Sequence, residues 1–142
     1  MKLPEELKIR LEEISNKYKE NELKNAYAGI SERYMNEKRT GNTLLSSEID
    51  VVAYANARMP ATYGAVHTAF SKVVEHLDEI QLKTLVDIGA GTGAATWAVS
   101  DFIEFEKITC IEREKNMMDF GKNLMQSTKL ERTIRVERTE YK

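Results

Sequence analysis

The stretch "LVDIGAGTGAATWAV", residues 85–99, limits the fold more than any other part of the chain. An apolar run rich in β-formers gives way to Gly89, Gly91 and Gly93 and then resumes with helical character. Glycines allow positive φ and let another group approach the backbone closely. At the carboxyl end of a strand and the start of a helix, such a loop lies where open α/β sheets bind ligands. On either side, "KTLVDIG" and "KITCIE" read as short strands, and "GAATWAVSDFI" between them reads as a helix. That is a β-α-β unit. A helix from about Asn116 to Leu130 and a strand around "TIRVERT" continue the alternation, which predicts a parallel sheet with right-handed crossovers.

The preceding eighty residues have a different period. Leu3, Leu7, Leu11, Ile14 and Tyr18 mark an amphipathic helix, with Pro4 suited to its first turn. Leu23, Tyr27, Ile30 and Tyr34 mark a second, from about Glu22 to Tyr34, and "NEKRTGNT" reads as a loop. Ser47 with Asp50 three residues later resembles a capping box opening a third helix. Pro60 disfavours helical geometry at Met59 and predicts a break there. A new helix then follows, its stripe Tyr63, Val66, Phe70, Val74 and Leu77. The chain thus divides into a helical section, residues 1–80, and an α/β section, residues 81–142.

Composition excludes several function classes. A chain of 142 residues, 42% hydrophobic and 31% charged, has the balance of one soluble globular core. The formal net charge of −2 supplies no global positive field for nucleic acid, so any such contact must be local. Cys110 is the only cysteine, which rules out an internal disulfide or a cysteine-based metal cage, and His67 and His76 alone predict no metal site. No segment has the length and apolarity of a membrane span, and "MKLPEELKIRLEE" lacks the apolar core of a signal peptide, so no membrane partner and a cytoplasmic location are expected.

Two cofactor classes compete for the loop. Gly89, Gly91 and Ala94 satisfy the dinucleotide pattern G-x-G-x-x-G/A, which seats a pyrophosphate on a helix N-terminus. With Asp87 before them and Gly93 after, the same residues read D-x-G-x-G-x-G, which resembles motif I of class I S-adenosylmethionine-dependent methyltransferases. Glu112 ends the second strand 23 residues after Gly89 (112 − 89), where a carboxylate accepts hydrogen bonds from ribose hydroxyls. Both cofactors carry that ribose. Glycines here also permit close strand–helix packing, so a purely structural loop is the third reading.

A narrower resemblance covers residues 20 to 120. "SERYMN", "LSSEIDVVAYANARMPATYGAVHTAF", "LVDIGAGTGAATWAVSD" and "CIERE" are together similar to the methyltransferase-like small-ribosomal-subunit proteins of bacteria and mitochondria. That resemblance implies an α/β fold, the helical section being followed by the first half of a Rossmann-like sheet of class I methyltransferase type. It implies S-adenosylmethionine as cofactor and the small ribosomal subunit or rRNA as partner. The implied cofactor-binding set is Asp87, Gly89, Ala90, Gly91, Gly93 and Glu112, joined by Arg58, placed to pair with the cofactor's carboxylate, and Tyr63. The family's later strands, its acceptor-side motif and its C-terminal cysteine cluster have no counterpart before Lys142, so the chain reads as a fragment, inactive alone. A non-catalytic ribosome-assembly module and an NAD-binding oxidoreductase fragment are the alternatives.

No catalytic residue is identifiable. His67 reads as a core or cap-forming histidine, Trp97 and Phe102 as helix–sheet packing, and Cys110 as a small buried hydrophobe. Met117 and Met118 are core fillers that also stand within reach of an adenine edge. The "TLVDIG" strand, central in the full fold, lacks one neighbour here, so either the N-terminal helices cover its edge or a second copy pairs with it, giving a homo-oligomer.

Overall fold

A computed structural model describes residues 2–36, 47–78 and 81–138. Three helices come first: α1 (Glu5–Ser15), α2 (Glu20–Asn36) and α3 (Glu48–Val74). The alternating part follows as β1 (Thr84–Ile88), α4 (Ala94–Ser100), β2 (Lys107–Glu112), α5 (Lys115–Met125) and β3 (Ile134–Arg138). All strand pairs are parallel, in the order β1-β2-β3, with Asp87 beside Cys110 and Cys110 beside Val136. The architecture is the expected one: helices, then a Rossmann-like three-stranded parallel sheet.

The capping signal holds. Ser47 is the N-cap of α3, its hydroxyl accepting from the Asp50 N–H at 3.4 Å. The "NEKRTGNT" loop lies, from Glu37 on, outside the described residues.

The break predicted at Pro60 is absent, because α3 runs through it as one helix of 27 residues. Proline inside a helix costs about 3 kcal/mol through a lost hydrogen bond and a ring clash. Packing outweighs it. Met59 and Tyr63, on either side of the proline, are buried on the same stripe as Val52 and Ala55. Burial of two such side chains contributes about 3–6 kcal/mol, enough to keep the axis continuous. The fourth expected helix is therefore the second half of the third. Helix α5 also stops at Met125 rather than near Leu130: Gln126 leaves helical geometry and Ser127 adopts φ 62°, with the Thr128 hydroxyl bonding the Met125 carbonyl.

One hydrophobic cluster joins the two parts of the chain. Leu7, Leu11 and Ile14 of α1 and Val51, Met59 and Tyr63 of α3 belong to the same cluster as Trp97, Ile108, Phe120 and Leu124. Polar ties reinforce it: Arg10 donates to the Asn123 carbonyl and side chain at 2.8 Å, and Asn56 donates to Ser15 Oγ at 2.8 Å. The Arg33 guanidinium meets Asp50 at 3.0 Å, fixing α2 to the first turn of α3.

The sheet is covered unequally. Ile108, Cys110 and Glu112 are buried, whereas Val86 and Ile88 on the alternate face of β1 are 58% and 68% exposed. Among the described residues β1 pairs only with β2, so its other edge is open. The helices do not cover Val86 and Ile88.

Candidate functional site

The glycine loop is built by its own backbone. Gly89, Gly91 and Gly93 have φ of 71°, 57° and 91°, a region costly for residues bearing a Cβ. Gly89 and Ala90 donate their N–H groups to the Ile111 carbonyl at 2.8 and 3.1 Å, and Gly93 donates to Ala90 at 2.9 Å. The loop thereby hooks over the end of β2. At two of the glycines a side chain would also press on the flexible tip of a methionine. A Cβ on Gly93 would stand 2.7 Å from Met125 Cε, and one on Gly91 would stand 3.2 Å from Met117 Cε. At Gly89 a Cβ would meet nothing within 4 Å, so this loop residue faces open space.

Glu112 is buried beneath this hook. Its Oε1 accepts from the Gly91 N–H at 3.0 Å and its Oε2 from the Glu114 N–H at 2.7 Å. The carboxylate therefore sets the spacing between the two loops, and each oxygen retains acceptor capacity for a ligand hydroxyl. Burial first, then the charge of Glu112, raises the Glu114 carboxyl above its usual range.

Asp87 points elsewhere. Its Oδ2 accepts from Thr96 Oγ1 at 2.7 Å, tying β1 to α4. Burial pushes its pKa up, and the Thr96 bond opposes that shift without cancelling it. Thr96, fully buried and 3.4 Å from Cys110 Sγ, was not singled out in the sequence, where nothing distinguishes it from other helical threonines. Cys110 is buried, its thiol pushed up to about 11 by desolvation, as a structural cysteine should be.

Beside Glu112 lies a cavity of about 850 Å³ between α2, α3 and the start of α5. Tyr27, Ile30 and Tyr34 of α2 form one wall, Tyr54 and Arg58 of α3 another, and Glu112, Arg113, Glu114 and Met117 the third. Arg58 is thus on the site, while Tyr63 is not: it is buried in the core, its ring 5.5 Å from His67. His67 in turn bonds Asp101 at 2.7 Å and stacks on Phe102 at 4.4 Å, so both serve the α3–α4 contact. Trp97 is buried in the core as expected. The α2 wall escaped the sequence reading because Tyr27, Ile30 and Tyr34 share one helical stripe that reads equally as core. The one available signal was that two of these three are tyrosine, which keeps a polar end in water. A second cavity, about 560 Å³, lies away from the loop among Leu77, Leu82, Phe102 and Ile103. Among the described residues no cluster could hold a metal ion.

The site is thus a strand–glycine loop–helix with a buried carboxylate closing the next strand. The family model described as mitochondrial small ribosomal subunit Rsm22 matches residues 48–142. The chain belongs to the Rsm22 family. The match starts at α3 and takes in the loop and Glu112, but excludes the α2 wall. The human protein named "Ribosome assembly protein METTL17, mitochondrial" is 29% identical over 76 residues, which are 52% of this chain and 17% of that protein. The chain therefore spans about a sixth of the length of this relative. A crystal structure from Methanococcus maripaludis, provisionally described as an S-adenosyl-L-methionine-dependent methyltransferase, matches with TM-score 0.49 and 15% identity over 66% of this chain and 42% of that one.

Proposed function

We propose that this Rsm22-family chain binds S-adenosylmethionine at the glycine loop and Glu112, as part of a methyltransferase-like protein that works on the small ribosomal subunit or its rRNA. The observation that carries the reading is Glu112, a buried carboxylate at the end of β2 held by the Gly91 and Glu114 N–H groups. A ribose diol is the ligand group such an acceptor suits. The fit is supported by the empty space at Gly89 and by Arg58 on the cavity that Glu112 lines, a cation for the amino-acid carboxylate. When bound, the cofactor supplies a methyl group already activated on a sulfonium. The chain's own task is then alignment and exclusion of water. Neither Asp87, committed to Thr96, nor Tyr63, committed to the core, is offered as a direct ligand contact.

The dinucleotide reading has less support. Ala94 does open α4 and is buried, but α4 is only seven residues long and no basic side chain lines the loop to meet a pyrophosphate. The ribosomal partner rests on family membership and on the printed function of the human relative. That same printed function, assembly rather than methylation, favours as second reading a module that keeps the pocket without transferring methyl groups. Isothermal titration with S-adenosylhomocysteine and with NAD tests the first reading: tighter binding of S-adenosylhomocysteine is expected, and tighter binding of NAD overturns it.

A further inference from the structure

Gly29 of α2 and Gly121 of α5 both stand inside helices, where glycine is less stable than alanine because it gives up more backbone freedom on folding. Their surroundings differ. A Cβ on Gly29 would meet the flexible end of Arg33, at 3.4 Å. On Gly121 it would stand 3.2 Å from the carbonyl oxygens of both Gly91 and Thr92 and 3.3 Å from the Thr92 carbonyl carbon. Those are backbone atoms of the glycine loop. Gly121 has ordinary helical geometry, so conformation does not call for glycine there; the close approach of the loop does. Met117, Gly121 and Met125, spaced four residues apart, share one face of α5. Along that face Met117 stands against Gly91, Gly121 against Gly91 and Thr92, and Met125 against Gly93. The inner half of the loop thus lies on α5, while Glu112 accepts from the Gly91 N–H at 3.0 Å. Gly91 is fixed from two sides.

We propose that Gly121 is a positioning residue for the ligand site: lacking a side chain, it lets the loop carbonyls settle on α5, which sets the Gly91 N–H on Glu112. The proposal rests on the reading of Glu112 as the cofactor's ribose acceptor, and it extends the site to a residue that acts through the loop. A methyl group at position 121 pushes the loop backbone back by a few tenths of an ångström, since no flexible side-chain end is there to yield. N–H···O bonds keep within about 2.7–3.2 Å, so a displacement of that size spoils the 3.0 Å bond from Gly91. Glu112 then loses one of the two donors that orient it, and a loosely held acceptor binds a diol less well.

The test compares Gly121→Ala with Gly29→Ala, by amide hydrogen exchange in the ligand-free chain and by titration with S-adenosylhomocysteine. In Gly121→Ala the Gly91 amide exchanges about tenfold faster and S-adenosylhomocysteine binds about tenfold more weakly. The Ile108 amide, bonded to the Thr133 carbonyl, exchanges no faster than in the parent. Gly29→Ala changes none of these. A merely structural glycine would speed Gly91 and Ile108 together or leave Gly91 untouched, and either result overturns the proposal. Unchanged affinity beside a loosened Gly91 overturns it too. Where Gly121→Ala alone does not fold, the double variant with Gly29→Ala, which adds helix propensity away from the loop, carries the same readouts. If neither folds, the contact holds the whole molecule and the assignment is refuted. Failure of S-adenosylhomocysteine to bind the parent chain refutes the cofactor reading instead, and the exchange of Gly91 relative to Ile108 then decides the role of Gly121 alone.

Discussion

At the scale of single residues, the glycines of the loop have separable jobs. Gly93→Ala combines strain at φ 91° with a 2.7 Å approach to Met125 Cε, although the methionine tip can yield. Its expected cost is about 1–3 kcal/mol in urea unfolding. Gly89→Ala carries the backbone term alone, about 1–2 kcal/mol, because its Cβ meets nothing. It should nevertheless weaken S-adenosylhomocysteine more than Gly93→Ala does, since the proposed site places the ligand against that open space. Equal effects of the two on binding would contradict this division. Asp87 gives a pH-dependent prediction. Its folded pKa lies above the unfolded value, so the native state holds the proton longer, and the group's contribution declines as pH rises from about 4 through the folded pKa. Asp87→Asn removes that decline while keeping an acceptor for Thr96. The variant's stability relative to the parent should therefore be more favourable at pH 7 than at pH 4. An unchanged or reversed difference refutes the assignment. The sequence identified Asp87 as important but not its partner, because only the fold brings Thr96, nine positions away, against it.

At the scale of elements, the switch from helical to strand periodicity after Asp78 located β1, β2 and β3 to within a residue or two. Short apolar strands separated by a glycine-marked helix leave few alternatives. Proline misled because its preference is local. The rule for Met59 held no information about the buried stripe of Val52, Ala55, Met59 and Tyr63 that packing against the neighbouring helices, α4 above all, imposes on α3. Pro60→Ala restores one backbone donor within an otherwise continuous helix. It should raise stability by about 1–3 kcal/mol, read as a higher midpoint in thermal unfolding. Loss of stability would show that the ring itself packs usefully. The α2 wall of the cavity was illegible for a related reason: a tyrosine-bearing stripe cannot declare whether it faces a core or a ligand until its neighbours are placed.

At the scale of the whole molecule, the unequal cover of the sheet is the feature with the clearest consequence. Val86 and Ile88 are exposed on a strand whose outer edge has no partner among the described residues, an arrangement that invites strand addition. Pairing with a second copy, antiparallel about Val86, would bring Val86 against Val86 and Thr84 against Ile88, with no charge on the open face of β1. Light scattering during size-exclusion chromatography should show a concentration-dependent dimer, abolished by Val86→Lys. A monomer at all concentrations would refute self-association. That β1 has an open edge among the described residues followed from the order of elements; which of its residues would be exposed did not, since it depends on which face the crossover helices cover.

The central claim is that the glycine loop and Glu112 form one ligand site. Backbone amide resonances followed during titration with S-adenosylhomocysteine test it most directly. Shifts concentrated at Gly89, Gly91 and Glu112–Met117, extending to Arg58, are expected, with little change at Leu77, Leu82 or Ile103 in the distant cavity. Shifts centred on that distant cavity, or none at a saturating ligand concentration, would contradict it.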